Sequence, residues 1–274
     1  MPAAYAHYRF GKEVETCLPY LYKKTIEKHH ELFDIGLHGP DILFYYHPLS
    51  SNEINKTGYA MHDIPAASFF EKTAAIWRNS EQKDALKAYL FGFICHFSLD
   101  STCHPYVEKM IDLSKLSHNE IETELERYFM LKDHIEPASY IPIQHIHASH
   151  DNSKVISSCF ENLSEADIFA SLQGMIRCHK LLHASSSFKR NILYTGLKIS
   201  GHYDSMQGLI MKPEPDPRCE DYCGLLDKMY TEAVTVAVSL IQQYSNVLEH
   251  DVPLSPRFQK TFGAGENWQL LFIA

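Results

Sequence analysis

No run of about 18 uncharged apolar residues occurs in this chain, and a helix needs roughly that many to cross a bilayer, so a transmembrane segment is excluded. The opening Met1–Arg9 lacks the apolar stretch and small-residue cleavage site of a secretory signal, which predicts a cytoplasmic protein. Basic residues are in the minority: 25 Lys and Arg face 34 Asp and Glu, for a formal net charge of −9. A duplex nucleic acid is therefore not the expected partner, because phosphate binders concentrate cations on one face. The seven cysteines form an odd set with no paired framework, which fits reduced thiols. Cys219 and Cys223 are close enough in sequence to chelate together, but a structural zinc site wants four ligands. Strand signals are few; the best, Tyr140–Ile143, is short and broken by Pro142. There is no fixed-period repeat, no low-complexity segment and no shift in composition that would demand a second domain.

What is plentiful is histidine, at 17 against 12 glycines. Apolar residues recur every three or four positions over roughly 9–32, 65–79, 81–103, 117–131, 165–183 and 221–248, which is the helical period. The expected fold is all-α, a single helical domain over 1–274. Loops are marked at Gly36, Gly39-Pro40, Pro48 to Gly58, Pro137 and the polar stretch 212–217.

His96, Asp100 and His104 follow one another at intervals of four. On a helix that interval turns the side chain by about 40°, so the three form one polar stripe. Leu90, Phe91, Phe93, Ile94, Phe97 and Leu99 occupy the other faces. A helix apolar nearly all round is buried, and a buried carboxylate needs a cation or several donors. Zinc supplies such a cation, and it accepts imidazole with carboxylate. Further on, Ser117 predicts an N-cap with Glu120 three residues later, which would set His118 and Glu122 one turn apart at a helix start. Neither pair closes a tetrahedral site alone. Asp41, in the turn Gly39-Pro40-Asp41, and His62 are the best sources of further ligands. A lone His-x3-Asp pair is ordinarily a surface ion pair; two coupled pairs with a third histidine in register on a buried helix favour metal. His29, His30, His145, His147 and His150 read as solvated. His202 and Asp204 read as a surface pair, with the mouth of a cleft as the other option, and the tail 261–265 carries no assignable chemistry.

The array His96-x3-Asp100-x3-His104-x13-His118-x3-Glu122 resembles the signature of the bacterial zinc-dependent phospholipase C family, whose fold is related to that of single-strand-specific zinc nucleases. The resemblance implies an all-helical domain holding two or three zinc ions. It implies Asp41, His62, His96 and Asp100 on the first ion and His104, His118 and Glu122 on the second. Asp100 would bridge to a third ion completed by His7 and the N-terminal amine and carbonyl. Asp41 is the implied general base, and the implied reaction is attack of a metal-activated water on a phosphoester, phospholipids included. Secreted members begin with a tryptophan whose backbone binds the third ion, where Met1 or Pro2 would have to serve here. The choline pocket is not recognisable, although Tyr59 could supply one ring, and no membrane-binding second domain is expected. Three alternatives stand beside this reading. One is a soluble phosphomonoesterase or nucleotide hydrolase. Another is an HD-type phosphohydrolase built on His62-Asp63 with His38 and Asp100. The last is a helical protein that metal merely staples. The sequence does not set the oligomeric state.

Overall fold

A computed structural model describes residues 4–250 and 252–273. Twelve α-helices occur among them, with short 3-10 turns and no strand. In chain order they are α1 (Ala4–Cys17), α2 (Tyr20–Lys28), α3 (His30–Gly36), α4 (Glu53–Asp63), α5 (Ala67–Asn79), α6 (Lys83–Ser114), α7 (His118–Lys132), α8 (His150–Ser157), α9 (Glu165–Leu182), α10 (Ser187–Ile199), α11 (Tyr203–Met206) and α12 (Glu220–His250). No described helix is long and apolar enough to cross a membrane.

The 32 residues of α6 make a rod about 48 Å long. Tyr89, Leu90, Phe91, Phe93, Ile94 and Phe97 are all fully buried, so every face of its middle is covered. α3 crosses it where Gly36 meets Gly92: a Cβ on Gly92 would collide with the Phe33 carbonyl, and one on Gly36 with that of Tyr89. Only glycine permits backbones to approach this closely. α12 also packs along α6, where Phe70, Phe97, Tyr244 and Phe258 interlock as ring pairs 4.4 to 6.1 Å apart. The Tyr244 hydroxyl, buried in this layer, donates to the Phe70 carbonyl at 2.9 Å.

Several element boundaries differ from the sequence expectation. The single helix expected over 9–32 is three, because Pro19 cannot extend α1 and His29 leaves helical geometry at φ −129°, ψ 40°. The helix expected to end at 103 continues to Ser114 through Pro105. Proline there forfeits one hydrogen bond, and packing along the rod outweighs that local loss. The stretch expected as a loop over 48–58 yields α4 from Glu53, started by Asn52, whose side chain accepts from the Asn55 N–H at 3.0 Å. Tyr140–Ile143 forms turns rather than a strand. Helices α8 and α10 were not expected at all.

Candidate metal centre

Five stretches deliver the eight residues. α6 contributes His96, Asp100 and His104 as one stripe, all buried. α1 brings His7, α4 brings His62, and the 3-10 turn Gly39–Tyr45 brings Asp41. α7 begins with the expected capping box, Ser117 and Glu120 satisfying each other's backbone N–H groups, and this fixes His118 and Glu122 one turn apart. Gly39 sits at φ +48°, and a Cβ there would strike the His96 ring. Glycine is thus what lets the Asp41 turn approach α6.

These side chains converge in three groups whose ligand atoms lie within 4.8 Å of one another: His7, His96 and Asp100; Asp41, His62 and His96; and His104, His118 and Glu122. Nε2 of His62 lies 3.0 Å from Asp41 Oδ1, and Nε2 of His96 3.1 Å from Asp100 Oδ2. Nε2 of His7 lies 3.3 Å from Asp100 Oδ1. Glu122 Oε1 is 2.8 Å from His118 Nε2 and 3.4 Å from His104 Nε2, and His104 is 3.8 Å from Asp100, which joins the second group to the others. All eight residues singled out in the sequence are therefore brought together.

The far side of each ring decides the tautomer. Nδ1 of His62 donates to the Gly58 carbonyl at 2.9 Å, Nδ1 of His96 to the Leu37 carbonyl at 3.3 Å, and Nδ1 of His104 to the Phe262 carbonyl at 2.7 Å. A carbonyl can only accept, so the proton sits on Nδ1 and the Nε2 lone pair points into the cluster. Metal-binding histidines are held by such outer hydrogen bonds. On the inner side, Nε2 of His62, His96 and His104, Asp100 Oδ2 and Glu122 Oε2 are buried without any hydrogen bond among the described residues. Orphaned buried donors and acceptors are rare. Imidazole and carboxylate converging on shared points are the donor set that zinc accepts, so the residues fit the ion.

The electrostatics agree. Burial would raise the Asp100 carboxyl, but His104 and His96 hold it well below the usual range. Glu122 is likewise lowered against burial by His118 and His104. Burial would raise Asp41 too, yet it is lowered on balance, with His96 and His62 among the groups that oppose the burial. Burial would lower His118, but Glu122 and Glu108 raise it to about 10. In these surroundings the acids remain ionised and the basic imidazoles attract whatever cation arrives, proton or metal.

Some residues stand elsewhere than the sequence suggested. His145 is not solvated: its ring stacks on Tyr8 at 4.1 Å and its Nε2 meets His38 Nε2 at 2.7 Å. The tail 261–265 does contribute, through the Phe262 carbonyl on His104 and through the Gly263 N–H, which donates to the His62 carbonyl at 3.0 Å. Glu108, 3.8 Å from His118 Nδ1, was also missed, although it lies on the α6 stripe four residues after His104 and that spacing could have revealed it. Asp63, needed for the HD-type alternative, is exposed and belongs to none of the three groups, and nor do His38, His202 and Asp204. Cys219 and Cys223 are buried free thiols, likewise outside the groups. Met1 and Pro2, whose backbone the resemblance would make ligands, lie outside the described residues.

Comparison with known proteins agrees with the geometry. A family model described as zinc dependent phospholipase C matches residues 6–170, more than half of the chain and the part that holds all eight residues. No curated protein and no solved structure matches the chain. With this match and the converging ligands together, the chain belongs to the zinc-dependent phospholipase C family.

Proposed function

We propose that the protein is a zinc-dependent phosphoester hydrolase whose ions are held by His7, Asp41, His62, His96, Asp100, His104, His118 and Glu122. The observation that carries this reading is the state of two buried acids: among the described residues every ion-pair partner of Asp100 and Glu122 is a histidine ring nitrogen. Imidazoles balance these buried carboxylates only while each carries a second proton, as His118 does in the metal-free protein, whereas bound divalent ions balance them without it. Three carboxylates against two or three Zn2+ leave a positive centre that attracts a phosphoester anion.

Bound zinc supplies a water acidified towards neutrality and positive charge against the phosphoryl oxygens. The chain's own part is positioning and proton transfer. Asp41, ionised at neutral pH, takes the proton from the attacking water as its oxygen bonds to phosphorus; the bond to the leaving oxygen breaks, and that oxygen receives the proton Asp41 has taken, which returns Asp41 to its ionised state. The capping box on α7 and the outer hydrogen bonds of His62, His96 and His104 keep the cluster in place while this happens. All seven cysteines are unpaired, which supports a reducing compartment, and we assign the protein to the cytoplasm.

Turnover of p-nitrophenyl phosphate, p-nitrophenylphosphorylcholine and a single-stranded oligonucleotide tests the reading. Hydrolysis of at least one, abolished by chelator and restored by zinc, is expected. No turnover of any phosphoester by zinc-loaded protein overturns it and leaves the metal-stapled alternative.

A further inference from the structure

One stretch of the chain inverts the charge pattern of the rest. From Ile168 to Tyr203 there is no aspartate or glutamate, while Arg177, Lys180, Lys189, Arg190 and Lys198 all fall within it, in a chain whose net charge is −9. The stretch covers most of α9 and all of α10. Leu197 is the only buried side chain of α10. Its outer face shows Phe188, Ile192 and Ile199, which are 75%, 55% and 84% exposed. At about 100° per residue these three fall within about 40° of one another, a single stripe, with Lys189 and Lys198 about 100° and 80° to either side. The end of α9 lies alongside, since Lys189 Nζ donates to the Lys180 carbonyl at 3.2 Å, and it adds the exposed Leu181.

An apolar stripe flanked by cations suits a helix lying at the boundary between headgroups and acyl chains of an anionic bilayer. A second copy of this chain fits less well, because a two-fold contact would press like charge against like. We propose that α10 and the end of α9 dock the protein onto an anionic phospholipid surface. A pocket lies beneath α10, on the side away from the stripe, lined among others by His183, Ala184, Arg190, Tyr45 and Glu126, the last one turn along α7 from Glu122. Arg190 offers a buried Nε with no hydrogen-bond partner, while its Nη2 donates to the Ala184 carbonyl at 3.0 Å. Docking rests on the α9–α10 face alone and stands apart from the hydrolase reading above.

Co-sedimentation of the full, zinc-loaded chain with vesicles tests the proposal. Vesicles containing phosphatidylserine are expected to bind it and pure phosphatidylcholine vesicles to leave it in solution, with binding weakening as salt is raised. Exchanging Phe188 and Ile192 for serine should lower partitioning at least about tenfold, given the apolar area withdrawn. Lys189→Gln with Lys198→Gln should lower it about 25-fold, at about fivefold per cation. Both double variants should still hydrolyse a soluble phosphoester like the parent. Equal binding to the two vesicle types, or binding that both double variants retain, overturns docking. So does a dimer that the Phe188 and Ile192 exchange dissolves while no vesicle is bound, since that assigns the face to a second copy. Vesicle binding without turnover of any phosphoester leaves docking standing and removes the hydrolase reading.

Discussion

Asp100 faces the ring nitrogens of His7, His62, His96 and His104 within 3.8 Å, which makes it the carboxylate shared between the groups. Asp100→Asn keeps the shape and removes the charge, so bound zinc and turnover should fall together, turnover by at least about a hundredfold, as loss of a metal's orienting partner alone can cost. Atomic absorption beside a rate assay reads both, and full zinc content in that variant would refute the sharing. His118 gives a pH prediction. Held at about 10 against an ordinary 6.5, it stabilises the metal-free fold fully below pH 6.5, and that contribution is lost as pH rises through about 10. Zinc must displace the same proton, so adding zinc to chelated protein at pH 8 should release protons, detectable with an indicator dye, and affinity should weaken as pH falls. At this scale the sequence was most legible where ligands repeat every four residues, as in His96, Asp100 and His104. It was least legible where the partner is a backbone carbonyl: nothing in the side chains of Leu37, Gly58 or Phe262 marks them as anchors. His145 read as solvated because its neighbours are polar, while the ring it meets, His38, is distant in sequence.

Among the elements, α7 couples the start of α1 to the cluster. The Tyr5 N–H donates to Glu126 Oε1 at 2.5 Å, which fastens the first turn of α1 and so sets where His7 lies. Burial, with Glu122 nearby, raises the Glu126 carboxyl to about 8 despite those backbone donors. Its folded value lies above the ordinary 4.5, so its contribution is intact below pH 4.5 and is lost as pH climbs through about 8. Metal-free protein should therefore lose up to about 4 kcal/mol across that window from this group, and Glu126→Gln should flatten the slope. Thermal melts of both proteins from pH 4.5 to 8.5 check it; parallel curves would contradict it. Helical character was readable from periodicity for α5, α6, α7, α9 and α12, which carry long apolar faces. α8 and α10 escaped because one is short and the other leaves its apolar residues in solvent. Pro105 misled in the other direction, since a proline that would end an isolated helix is carried inside a rod packed on every side.

For the molecule as a whole, the first half supplies the ligands and the second half encloses them. α12 covers one flank of α6, and the tail returns across the cluster to meet His62 and His104 through Gly263 and Phe262. This long-range closure could not be seen in the sequence, where the tail has no motif. The presence of the ligand array could be, and so could the all-helical class. The central claim is that divalent ions balance Asp41, Asp100 and Glu122 inside this bundle. Diffraction at the zinc edge from crystals grown without chelator tests it most directly. The account predicts anomalous peaks between Asp41, His62, His96 and Asp100 and between His104, His118 and Glu122. Crystals of zinc-supplied protein with no peak at either place, or with a peak held by Asp63 and His38 instead, would contradict it.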